Sequence, residues 1–164
     1  MTFHEGDQLT HVDALGQVHM VDVSEKPVTS RRATAESWVT MSERAFTALV
    51  EGRTLKGDVM AAVRIGALMG SKQTSNLIPL CHSLPVEWAR CEITLHAPDR
   101  VRIMMEVTTS GKTGVEMEAL TGASTGSLVL YDMLKSLDKG MVIGPTQLLR
   151  KEGGKSGPYE RGDA

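Results

Sequence analysis

Two runs of alternating residues constrain this chain more than any other feature: VEWARCEITLHA (86–97) and DRVRIMMEVTT (99–109), joined through the turn residues Ala97, Pro98, Asp99 and Arg100. Side chains of a strand point to opposite faces in turn, so each run predicts a half-buried strand. The turn between them predicts an antiparallel hairpin. A helix-like run, EMEALTGASTGSLVLYDMLKSLDK, follows at once and predicts a long helix near 115–138. A hairpin that feeds a long helix, in a mixed order of elements, predicts an α+β two-layer sandwich: one antiparallel sheet with helices on one face.

The remaining segments fit that frame. GQVHMVDVS (16–24) alternates and predicts a strand. RRATAESWVTM predicts another, with Ala33, Ala35, Ser37 and Val39 on one face. Ser42 is a plausible cap for a short helix that Gly52 stops. KGDVMAAVRIGALMGSK predicts a stronger helix, with Val59, Val63, Leu68 and Met69 on its apolar side. In TSNLIPLCHSLP, Ile78, Leu80 and Leu84 are expected to be buried, and GPTQLLRKE predicts a last strand. Residues 1–164 read as a single domain with flexible ends at about 1–8 and 152–164.

Composition excludes several classes of function. The chain is 41% hydrophobic and 23% charged, with a formal net charge of −2 and no basic block, so a nucleic-acid polymer is not an expected partner. No apolar run approaches a membrane span. The N-terminus lacks the pattern of a secretory leader, and the two cysteines lack CxxC spacing. Reduced thiols and a cytoplasmic location are therefore expected.

The stretch TSGKTGVE imitates a nucleotide-binding P-loop, placing Gly111, Lys112 and Thr113 between strand and helix. Glu106 stands where that motif needs a glycine, and in the later GGKSG the same position is Leu149. Both are rejected as P-loops. On the long helix Glu118, Thr125 and Asp132 are seven apart and share a face, with Lys135 one turn beyond. The pair Asp132 and Lys135 fits either a surface ion pair or a working site. The small residues Gly122, Ala123, Ser124, Gly126 and Ser127 mark a close approach by the sheet, a partner helix or a ligand. Lys56, at a helix start, suits an anion or is simply solvated. His82 among apolar residues reads more readily as a hydrogen-bonded core histidine than as a catalyst, Cys81 reads as a plain buried thiol, and adjacent residues of this kind are not expected to chelate a metal.

The segments LTHVDALGQVHMVDVSEKPVTSRRATA, LKGDV, SNLIPLCHSLP, GKTGVEMEAL, LYDMLKSLDK and GGKSG occur in this order, from about Leu9 to Pro158. Together they resemble the cyclic pyranopterin monophosphate synthases of molybdenum cofactor biosynthesis. The resemblance implies a ferredoxin-like fold and a homohexamer, a trimer of dimers with the active site at a subunit interface. It implies a small nucleotide-derived substrate, 3′,8-cyclo-7,8-dihydroguanosine 5′-triphosphate, converted to the cyclic pyranopterin with loss of pyrophosphate. No tightly bound cofactor is implied, and Mg2+ accompanying the triphosphate is compatible with it. Asp132, Lys56 and Lys135 match the family's catalytic positions. Leu80, Cys81, His82, Glu116, Met117, Glu118 and Arg31 match substrate-binding positions, with Arg32 adjacent to the last. Ser83 replaces the family's usual proline after the histidine, and Leu134 replaces a common cysteine.

Three expectations follow. The lysines should have lowered pKa values, as acid/base groups near other cations do. Lys56 and Asp132 of one pocket should come from different chains, with the small-residue stripe near the subunit boundary. Two rival readings are a metal-dependent phosphohydrolase, with Glu116, Glu118 and Asp132 as ligands, and a non-catalytic nucleotide sensor.

Overall fold

The computed structural model describes residues 16–54 and 56–162. The elements run β1 (Thr29–Thr40), α1 (Glu43–Val50), α2 (Val59–Lys72), α3 (Thr74–Leu77), β2 (Trp88–His96), β3 (Arg100–Gly111), α4 (Glu116–Leu134), β4 (Val142–Glu152) and β5 (Tyr159–Glu160). The five strands form one antiparallel sheet in the order β2-β3-β1-β4-β5. Without the small additions α1, α3 and β5, the chain reads β-α-β-β-α-β, the ferredoxin-like arrangement. The expected α+β sandwich is therefore present. No helix among the described residues is long and apolar enough to cross a membrane.

The period-2 pattern places the core as expected. Ala33, Ala35, Ser37 and Val39 of β1 and Val101, Ile103, Met105 and Val107 of β3 are at most 1% exposed, beneath the helices. The hairpin pairs from Trp88↔Thr108 to His96↔Arg100. Around the C-terminal half of α4 the core is bulky, with Phe46, Leu49, Ile103, Leu130 and Leu134. Around its N-terminal half the core is thin: Ala33, Ala35, Ala67, Ala119 and Ala123, with Met105, Val107 and Val115. On the opposite sheet face the buried Glu36 carboxylate accepts from Arg102 Nε (2.5 Å) and Gln147 Nε2 (2.7 Å). Burial pushes its pKa up, but hydrogen bonds from Gln147, Trp38 and Arg102 outweigh that and hold the group ionised, below the usual range.

The caps match in kind. Ser42 Oγ accepts from Ala45 N, Asp58 caps α2 by accepting from Ala61 N, and Gly52 leaves α1 at φ 65°. Small residues of α4 let its own chain pack closely. A Cβ on Gly122 would meet Ser71 and Ala67 of α2, and one on Gly126 would meet Ile103 and Ala67. Ser127 Oγ donates to Ser37 Oγ at 2.8 Å, which contacts Thr146 Oγ1 at 2.8 Å. Gly122, Gly126 and Ser127 are thus filled from within the chain.

Four expectations are corrected. Residues 16–24 are not a strand; only an isolated bridge at Val18 occurs there, and Val21 and Val23 line a cavity instead. Met69 is 61% exposed, because α2 turns Val59, Val63, Ala67 and Gly70 inward instead. Ile78, Leu80 and Leu84 are only partly buried, and Leu80 and Leu84 border a cavity. The long helix ends at Leu134, because Asp138 is engaged elsewhere: its carboxylate accepts from Ser42 N and Gly140 N, both at 2.7 Å. The expected flexible N-terminal end lies outside the described residues. Within 152–164, Tyr159 and Glu160 pair with β4.

Candidate active site

The first turn of α4 and the LIPLCH segment are tied together by hydroxyls. Ser71 Oγ donates to Glu118 O (2.8 Å), Thr74 Oγ1 donates to Ser71 O (3.0 Å), and Thr109 Oγ1 donates to Pro85 O (2.5 Å). These bonds set Leu80, Cys81 and His82 opposite Glu116, Met117 and Glu118 around a cavity of about 330 Å³. Val21, Val23 and Lys26 supply its third wall. Glu118 is 4% exposed, and burial, aided by the charge of Glu116, raises its pKa. Burial, then the charge of Glu118, raises the Cys81 thiol as well, which keeps it protonated.

A second cavity, of about 690 Å³, shares Lys26, Thr113, Gly114 and Glu116 with the first, so the two adjoin. Its walls carry five cations, Lys26, Arg31, Lys112, Lys151 and Lys155. Arg31 spans the strand end, its Nε donating to Gly111 O at 3.4 Å. Gly153 and Gly154 wrap it at φ 87° and 85°, where side chains would collide with Ser30 and Arg31 themselves. Arg32 faces the other side of the sheet and pairs with Glu106 at 3.4 Å, which fixes Arg31 as the cavity residue. The two rejected tripeptides, GKT and GKS, meet at this cavity. They are not P-loops, because β3 has antiparallel neighbours on both sides.

At the other end of α4, Asp132 bridges two lysines. Its Oδ1 lies 2.7 Å from Lys135 Nζ and its Oδ2 2.9 Å from Lys56 Nζ. Lys56 also donates to Asp132 O at 2.7 Å, satisfying a carbonyl of the helix's last turn. All three side chains are exposed. Hydrogen bonds from Lys135 and then Lys56 hold the Asp132 carboxyl at about 2, and Asp132 in turn raises Lys135. The expected lowering is thus reversed at Lys135. Lys56 and Asp132 also meet within one chain rather than across two, because the loop before α2 folds onto the end of α4.

The model of the MoaC family matches residues 20–154. The chain belongs to the MoaC family. It is 51% identical over 154 residues to proteins named cyclic pyranopterin monophosphate synthase from two strains of Cereibacter sphaeroides, KD131 and ATCC 17023. Each match covers 93% of this chain and 96% of the relative. The matched span begins just before Val21 in the first cavity and ends at Gly154 in the second, so it holds every residue of the Asp132 cluster and nearly all of both cavities.

The site residues expected from sequence thus divide into two groups. Leu80, Cys81, His82, Glu116, Met117, Glu118 and Arg31 gather at the start of α4, and Lys56, Asp132 and Lys135 at its end. Fourteen residues of helix separate Glu118 from Asp132, roughly 21 Å at 1.5 Å per residue. One metal ion cannot take Glu116, Glu118 and Asp132 of the same chain. Among the described residues no group of three or more His, Cys, Asp or Glu could hold a metal ion. Sequence reasoning missed Lys26, Lys112, Lys151 and Lys155. For Lys112 and Lys155 the signal was there in the two glycine-lysine tripeptides, read only as failed P-loops.

Proposed function

We propose that this chain converts 3′,8-cyclo-7,8-dihydroguanosine 5′-triphosphate to cyclic pyranopterin monophosphate and pyrophosphate, as a lyase of molybdenum cofactor biosynthesis. The observation that carries this is membership of the MoaC family together with 51% identity, over nearly the whole chain, to proteins of that name. The two adjoining cavities suit such a substrate. The five cations around the larger one match the charge of a triphosphate. The smaller one offers a buried carboxyl, a protonated thiol and an imidazole to the guanine-derived ring. Closing the cyclic phosphate forms a P–O bond from a hydroxyl to the α-phosphorus and breaks the bond to the β-phosphate oxygen. Pyrophosphate leaves with that electron pair, and preorganised cations stabilise the developing charge.

The cluster of Lys56, Asp132 and Lys135 is the acid/base machinery in this reading, with Lys135 as a protonated donor and Asp132 fixing both lysines. It sits too far from its own chain's cavities to reach a substrate there. The working site therefore forms between two chains, the start of α4 from one and the end of α4 from the other, in a homohexamer built as a trimer of dimers. Mg2+ takes part as a counter-ion of the triphosphate, and the cytoplasm is the compartment. The test is incubation with the cyclised triphosphate, following pyrophosphate and pterin together. Equimolar formation of the two is expected. Pyrophosphate without pterin, or turnover of ordinary GTP, would contradict the proposal.

A further inference from the structure

Residues 16–28, expected to be a strand, do something else. They run from the LCH segment to the turn between β3 and α4, across the mouth of the smaller cavity, with Val21 and Val23 in its wall. Two side chains from opposite sides hold this segment by its main chain. His82 Nε2 lies 2.8 Å from Val21 O, and Lys112 Nζ donates to Ser24 O at 2.5 Å. Between these points the segment braces itself: Asp22 Oδ1 accepts from Ser24 N (2.8 Å), and Val23 O accepts from Lys26 N (3.1 Å). That turn is what aims the Ser24 carbonyl at Lys112 and Lys26 into both cavities.

We propose that residues 16–28 are a latched strap closing the ring-binding pocket, with His82 and Lys112 as the positioning residues that hold it shut. The proposal deepens the reading of that pocket as the substrate site and rests on it. A strand would be held by a ladder of backbone bonds. Around the cavity this segment is held by two side-chain bonds to carbonyls, with an isolated bridge at Val18 nearer its start, so its cavity-lining part can open and reclose without disturbing the sheet. The bond to Val21 O engages His82 Nε2, so His82 holds the strap with that nitrogen while the rest of its ring lines the pocket.

Hydrogen exchange on the assembled protein tests the latch without any substrate. His82→Ala and Lys112→Met should each speed exchange across 16–28 by at least ~10-fold, with β3 and α4 unchanged. His82→Gln, which keeps an N–H donor at similar reach, should restore slow exchange. A group needed only as an imidazole would not be rescued in this way. Asp22→Ala, outside both cavities, should raise KM by roughly 3–10-fold with kcat held, the signature of lost binding. Wild-type exchange in His82→Ala, fast exchange in His82→Gln, or an unchanged KM in Asp22→Ala would overturn the latch. Absence of turnover by the wild-type protein would count against the proposed function instead, since the exchange result does not depend on it.

Discussion

The two ends of α4 present two carboxyls in opposite states. Glu118, near the start, is buried over an alanine-lined core, and desolvation makes it hold its proton more tightly than usual. Asp132, fourteen residues on, projects from a bulky core into solvent, and two lysines strip its proton down to a pKa of about 2. The helix is the same and the residue types are nearly so. What differs is the cost of charge: burial without a cation favours the neutral acid, and exposure between two cations favours the anion. A site that must both donate and accept protons needs groups of both kinds.

The largest effect is expected at the exposed end. Asp132→Asn or Lys56→Ala should lower turnover by roughly 10²–10⁴-fold, the usual range for acid/base groups. The melting temperature should barely move, because the cluster lies in solvent. Steady-state kinetics beside thermal melts decides this; intact turnover with a lowered melting temperature would make the cluster a structural ion pair. The pH dependence has a defined sign. The folded pKa of Asp132 lies below its ordinary 3.8, so its stabilising contribution is present above about pH 3.8 and is lost as pH falls through about 2.

A smaller loss, roughly 10²-fold, is expected for Glu118→Gln, the lower end for a proton-transferring group. Its effect on stability should have the opposite sign. The folded protein binds more protons than the unfolded chain above the ordinary pKa of 4.5, so wild-type stability falls as pH rises from there through the raised folded value. Glu118→Gln removes that penalty. Urea unfolding at pH 4 and pH 8 should show the variant gaining on the wild type at the higher pH. A variant that loses ground there would mean that the ionised Glu118 is favourably paired, and the contrast between the two ends would fail.

Much of the fold was legible because its signals are local. Ala33, Ala35, Ser37 and Val39 needed only a period of two, and the hairpin only its turn. Residues 16–24 alternate just as well, yet they line a cavity instead of joining the sheet, and period alone cannot reveal whether a partner strand exists. Met69 failed for a related reason: α2 rotates until Gly66 and Gly70 fit against Val129 and Thr125 of α4, a contact between distant segments. The site was legible through the ordered motifs that carry the family resemblance. Lys112, Lys151 and Lys155 were not, because the β3–α4 turn and the end of β4 converge only once β1 lies between their strands. Nor does a sequence say which chain supplies each group. Lys56 and Asp132 were expected from different chains and meet within one.

That correction sharpens the central claim, that one working site takes the start of α4 from one chain and its end from another. Glu118→Gln and Asp132→Asn subunits, each crippled alone, are mixed after dissociation and allowed to reassemble at random, with hybrids confirmed by native mass spectrometry. Two-fold pairing gives each mixed dimer one pocket with both defects and one with neither, so about a quarter of wild-type turnover should return. Lys56→Ala mixed with Asp132→Asn should recover nothing, since both belong to the same end of the same chain. Hybrids of Glu118→Gln and Asp132→Asn that form and stay inactive would contradict the shared site.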